Sequence, residues 1–125
     1  MTPADLARLR TAFASRADSI IQSQQPPRAK LADFDHLFAE SGLFGPSGDE
    51  WITQANDFTG AIYRFRADTA ERMEKIIAEG MADGTIHSTS SSKATAQLLV
   101  ALLDQALRTG RRDELEAAVN ELLRS

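Results

Sequence analysis

With 125 residues, no cysteine and a formal net charge of −4, the chain is sized for one domain whose core forms without disulfide or thiolate-metal staples. That acidic balance argues against a broad phosphate-binding surface, and so against direct nucleic-acid binding by this chain. The opening MTPADLARLR carries charges throughout and lacks the apolar run of a signal peptide, and no stretch approaches the roughly 20 apolar residues that span a bilayer, so a cytoplasmic protein without membrane contact is expected.

Thr2-Pro3 reads as an N-cap followed by proline at the first helical position, with Asp5 in the first turn to suit the helix dipole. Leu6, Leu9, Phe13, Ala17, Ile20 and Ile21 then keep helical spacing as far as Ser23, where Gln24-Gln25-Pro26-Pro27 ends the run. A second helix over Arg28 to Glu40 places Leu31, Phe34, Leu37 and Phe38 on one side. Ser41 to Gly48 is the clearest loop, and its Leu43 and Phe44 are expected to pack back onto the body.

After Asp49, an expected N-cap, Trp51, Ala55, Phe58, Ile62, Phe65, Met73 and Ile76 recur at helical spacing, with Thr69 in the remaining slot. The spacing predicts one long helix to about Ala82, with Gly60 marking a place for a kink or break near Asp57 to Gly60. Gly84 closes it, and Thr85 to Ser91 links it to a helix over Ser92 to Gly110. There Leu98 to Leu103 form an unbroken apolar run. At ~100° per residue Lys93, Gln97, Asp104 and Arg108 share one polar stripe, opposite Leu98, Leu99, Leu102, Leu103 and Ala106. Serines at 90 to 92 offer N-caps and Gly110 the left-handed closing residue. A final amphipathic helix over Arg112 to Leu123 carries Leu115, Ala118, Val119 and Leu122. With no useful strand alternation, the expected fold is all-α: about five helices in one antiparallel helical bundle with a long middle helix.

Glu79-Gly80-Met81-Ala82-Asp83-Gly84-Thr85-Ile86, followed by a serine-capped helix reading Ala94-Thr95-Ala96-Gln97-Leu98-Leu99-Val100-Ala101-Leu102-Leu103-Asp104, resembles the C-terminal half of TetR-family transcriptional regulators. In that family a long helix ends in a Glu-Gly and a further Gly, and the next helix carries a Leu-Leu-x-x-Leu-Leu-Asp-like run; Gln105 stands here where many members place glycine. The likeness in element order covers roughly Arg28 to Leu123. It implies that residues 1–25 are a connector-like helix at whose start a DNA-binding helix-turn-helix half would end, that residues 28–84 hold ligand-binding helices, and that residues 92–123 form a dimerisation pair.

The resemblance further implies a homodimer joined by a four-helix bundle, with the patch Leu99, Leu103, Ala106, Leu115, Val119 and Leu122 at its interface. A small apolar or amphipathic ligand would sit among the middle helices, with Phe34, Leu37, Phe38, Trp51, Phe58, Tyr63 and Met73 as walls and His36, Gln54, Asn56 and Arg66 as polar anchors. Aromatic residues at such spacing equally describe a packed core, which keeps a ligand-free interaction module in play. Asp33-x-x-His36 with Glu40, to which Glu71 and Glu74 could add oxygens, is a partial copy of a helical carboxylate-metal site, and a solvated acidic face is its ordinary reading. No metal, cofactor or catalytic residue is assigned: there is no Gly-x-Ser-x-Gly elbow, no cysteine nucleophile and no serine partner for His36 or His87. Arg108, Arg111 and Arg112 cluster where cations complement the end of a helix.

Overall fold

Among the described residues five helices are delimited: α1 (Pro3–Gln22), α2 (Pro27–Glu40), α3 (Asp57–Asp83), α4 (Ser92–Thr109) and α5 (Arg112–Arg124). The computed structural model describes residues 3–46, 49–50 and 57–124, and among these there is no strand. The fold is all-α. None of the helices among the described residues is long and apolar enough to cross a membrane.

Helix boundaries follow the local chemistry. Pro26 is extended (φ −61°, ψ 152°) and Pro27 takes the first position of α2, where the missing N–H costs nothing, so this helix opens one residue before the expected Arg28. Ser91 caps α4 by accepting from Ala94 N at 3.1 Å, and Gly110 closes it in the left-handed region. At the end of α3, Gly84 (φ +82°) lets Thr85 N and Ile86 N both donate to the carbonyl of Gly80, at 2.9 and 3.0 Å. This closing turn folds Ile86 back over Gly80, where a Cβ would run into the Ile86 side chain. The glycine spacing singled out in the sequence thus has a packing cause: Gly80 makes room, and Gly84 turns the chain.

Named pairings fix the helix directions. Phe13, Asp18 and Ile21 of α1 meet Phe65, Arg72 and, through Lys30, Glu79 of α3, so α1 and α3 run the same way. Lys30 opens α2 against the ends of both, and Arg66 and Glu74 of α3 reach Asp104 and Ser92 of α4, so α2 and α4 run the opposite way. The carbonyl of Leu123 accepts from His87 N at 2.8 Å, which returns α5 alongside α4. The expected antiparallel bundle is therefore present, with α1 beside α3 and α2 beside α4 as parallel pairs within it.

The core is aromatic at one end. Phe13 meets Phe34 and Phe65 edge-on, at centroid distances of 5.8 and 4.8 Å, while Phe44 from the loop after α2 stacks on Phe38 at 3.5 Å. Leu43 and Phe44 are both buried, as the sequence predicts. Ile62, Met73, Ile76 and Ile77 of α3 carry the core toward Leu99 and Leu103 of α4. Thr69 is buried in the slot that the periodicity assigned it, its hydroxyl satisfied by the carbonyl of Phe65 at 2.8 Å. Residues 49–50 are helical and α3 is described from Asp57; the intervening stretch, which the sequence placed in the same helix, lies outside the described residues.

Candidate functional site

Two faces of α4 define the surroundings of every candidate. Its inner face buries Thr95, Ala96, Leu99, Val100, Leu103 and Ala106 against the rest of the chain. Its outer face carries Ala94, Leu98, Ala101 and Gln105, all exposed, beside the half-buried Leu102. Leu98 is 46% exposed, against 2% for its neighbour Leu99.

This sorts the residues assigned to a dimer patch. Leu99, Leu103 and Ala106 are covered from within one chain and do not face outward. Val119 of α5 is half-buried against the core, and the side chains of Leu115 and Leu122 lie outside the described residues. The apolar surface that α4 turns outward is Leu98 with Ala94, Ala101 and Leu102, displaced by about one helical step from the patch that the sequence suggested.

The residues assigned to a ligand cavity are likewise dispersed. Phe34, Phe38 and Met73 are at most 1% exposed and belong to the core, with Leu37 buried beside them. Phe34 and Phe38 are engaged by other rings. Tyr63 is 59% exposed, its ring lying 5.9 Å from the Arg66 guanidinium. His36 is on the surface of α2. Trp51, Gln54 and Asn56 lie outside the described residues, as does the side chain of Phe58. The described members of the set therefore do not converge on one site.

Open space lies between helices instead. A groove of about 590 Å³ separates α2 from α5, walled by Leu31, Leu103, Val119 and Leu123 and rimmed by Arg28, Asp35, His36, Asp113 and Glu116. A second, of about 550 Å³, runs between α3 and α4, with Ala67, Ala70, Val100 and Ala101 as its apolar part and Arg66, Glu71, Glu74, Lys93, Gln97 and Asp104 around them. Asp33, His36 and Glu40 line a third, between α1 and α2, so they are separated from Glu71 and Glu74 and the five do not come together around a metal. No group of three or more His, Asp or Glu side chains suited to a metal ion occurs among the described residues.

Two polar clasps hold the bundle around these grooves. At one end the ammonium of Lys30, only 4% exposed, donates to the carbonyl of Ile21 at 2.7 Å and to Glu79 Oε2 at 2.9 Å, tying together α1, α2 and α3. At the other, Asp104 Oδ1 accepts from Gly45 N at 2.7 Å and pairs with Arg66 at 3.4 Å, while Oδ2 accepts from Arg108 Nε at 2.9 Å. Arg108 also grips Asp49 through both terminal nitrogens, and this bond holds the Asp49 carboxyl below the usual carboxylate range. Asp49 thus binds α4 through its side chain; the residues that it was expected to cap lie outside the described residues. Gly45 lies close beneath: a Cβ there would come within 2.8 Å of Leu107 Cβ. Asp104, which the sequence places in the polar stripe of α4, is the centre of a clasp that seats Gly45 and, through Arg108, Asp49 on that helix.

Of the groove residues between α2 and α5, only His36, Leu103 and Val119 were among the candidate site residues. Asp35, Asp113 and Glu116 give no signal in the sequence because each helix alone shows a solvated acidic face; only packing brings the two faces opposite each other. No protein-family model matches this chain, and searches of the curated proteins and of the solved structures find no match either.

Proposed function

We propose that the chain is the dimerising, small-molecule-sensing effector module of a TetR-like transcriptional regulator, working in the cytoplasm and making no direct contact with DNA. The observation that carries this reading is the outer face of α4. Leu98, Leu102, Ala94 and Ala101 form an apolar stripe on a helix whose opposite side is already fully committed to the core. Paired with its twofold copy and flanked by α5, that stripe makes an isologous four-helix contact. Further support comes from the Gly80–Gly84–Ile86 corner, whose packing gives a physical reason for the motif on which the resemblance rests.

Sedimentation of the purified chain across a dilution series tests the dimer. Self-association with a dissociation constant in the micromolar range or below is expected, and a well-folded monomer at tens of micromolar contradicts it. The chain alone is also expected to show no salt-sensitive binding to duplex DNA.

The burial of Phe34, Phe38 and Met73 favours a second reading, a helical interaction module that senses nothing. A thermal-shift screen separates the two, since a ligand at 100 times its dissociation constant adds about 2.7 kcal/mol to the folded state.

A further inference from the structure

We propose that the Asp83–Gly84 bond at the end of α3 is a modification site, where the chain isomerises spontaneously to isoaspartate and thereby releases the corner that leads into α4 and ties down α5. The chemistry needs only water and is independent of the effector reading.

Asp83 is the only aspartate or asparagine in the chain that is followed by glycine. That pairing matters because the reaction starts with attack of the following amide nitrogen on the side-chain Cγ, and a residue without Cβ leaves the approach open. The nitrogen bonds to Cγ of the protonated carboxyl, and its proton leaves with the carboxyl hydroxyl as water. Water then opens the resulting five-membered imide at one of its two carbonyls. Opening at the main-chain carbonyl leaves the backbone running through Cβ and Cγ of residue 83. The product has the composition of the parent and one more methylene in its main chain.

Both residues are exposed, and a Cβ on Gly84 would meet nothing within 4 Å, so the bond itself is open to water. Two restraints act on it. Asp83 Oδ1 accepts from Thr85 Oγ1 at 2.5 Å and from Thr85 N at 2.9 Å, and these bonds hold its carboxyl below the usual carboxylate range. An ionised carboxylate is a poor target for the amide nitrogen. Closing the imide also requires residue 83 to leave its helical backbone angles, while Thr85 N and Ile86 N hold that last turn on the Gly80 carbonyl. Conversion is therefore gated by local opening of the corner, which costs less than global unfolding.

The product does not fit the corner again. The added methylene shifts Thr85 N and Ile86 N off the Gly80 carbonyl, and with them the buried Ile86 side chain that lies over Gly80. His87, the next residue, carries the N–H that bonds the Leu123 carbonyl near the end of α5. Isomerisation at one bond thus loosens the α3–α4 turn and α5 together.

The test is incubation of the intact chain in warm neutral buffer over several weeks, followed by trypsin, which releases Ile76 to Lys93 as one peptide with Asp83 as its only aspartate or asparagine. The expected result is a growing isobaric form of this peptide, resolved by chromatography, that endoproteinase Asp-N no longer cuts at residue 83. Thr85→Val, an exposed change that keeps the branched shape and removes the hydroxyl donor, should speed its formation by about two- to ten-fold. Thr85→Ser keeps the donor and should age at the parent rate. The chain unfolded in urea has no corner to open and should convert faster than the folded parent by roughly ten-fold or more. In the modified fraction, hydrogen exchange should find the Ile86 and His87 amides unprotected. Isoaspartate that appears at Asp18-Ser19 and not at Asp83, equal rates for Thr85→Val and Thr85→Ser, or no gain on unfolding each overturns the proposal. Protection retained at Ile86 and His87 in the modified fraction overturns the release of α5.

Discussion

Leu98 and Leu99 are adjacent in the chain and chemically identical, yet one is 46% exposed and the other 2%. α4 shows this contrast along its length: Leu99, Leu103 and Ala106 are covered from within, while Leu98, Ala94 and Ala101 are exposed. The polar stripe of Lys93, Gln97, Asp104 and Arg108 does not lie opposite the buried face; it borders it, because Asp104 and Arg108 are drawn into the clasp with Gly45 and Asp49. A helix can therefore carry two apolar faces with different purposes. Their separation is decided by where the polar side chains are anchored.

The largest test of the contrast is truncation of each leucine. Leu99→Ala should lower unfolding free energy by about 2–5 kcal/mol, as cavity-forming core substitutions do, whatever the state of association. Leu98→Ala, measured on protein diluted below any dimer dissociation constant, should stay within about 0.5 kcal/mol of the parent. Chemical denaturation of both at one low concentration reads the difference, and similar losses would show that the two faces are not distinct.

The corner that feeds α4 offers the next effect. Because a side chain on Gly80 meets Ile86, Gly80→Ala should cost about 1–3 kcal/mol, although alanine is the better helix former by about 1 kcal/mol. Pairing it with Ile86→Ala separates cause from coincidence. If overlap is the cause, the double variant should lose less than the sum of the two singles; simple additivity would count against it.

Helix number, order and ends were legible from residues 3 to 46 and 84 to 124, because caps, proline and glycine act locally and Ser91, Pro27, Gly84 and Gly110 each do in the structure what their chemistry implies. Sites were less legible. Periodicity shows that α4 is apolar on more than one side, but it cannot say which leucine meets its own chain and which is left outside. Nor does it show that Lys30, on a helix that reads as amphipathic, is buried, since that depends on Glu79 and the Ile21 carbonyl arriving from two other helices. The same reason hides the groove between α2 and α5, whose carboxylates come from opposite ends of the sequence.

The outer face gives an effect of intermediate size that appears only on association. Leu98→Asp should leave the far-ultraviolet spectrum unchanged yet weaken self-association by at least about ten-fold, since it places an unpaired charge in the proposed contact. Sedimentation that matches the parent would mean that the outer face of α4 is not what the partner covers.

The smallest effect lies in the clasp that sets the rotation of α4, and pH exposes it. The hydrogen bond from Arg108 lowers the Asp49 pKa in the folded chain, while Arg108, raised by its bonds to Asp49 and Asp104, keeps its charge throughout. A carboxyl whose pKa is depressed by folding stabilises the fold above its unfolded value near ~3.9, and that contribution disappears as pH falls through the lower, folded value. Asp49 is about half exposed, its side chain 48% accessible, so solvent screening limits the pair to roughly 0.5 kcal/mol. Other carboxylates titrate in the same window, which makes the difference between the parent and Asp49→Asn the useful quantity. Urea unfolding should find the parent more stable by that small margin at pH 6, with the gap closing once acid has protonated Asp49 in the folded state. A gap that persists in acid would mean that the ion pair is not what stabilises this end of α4, and that the close packing of Gly45 on Leu107 does so instead.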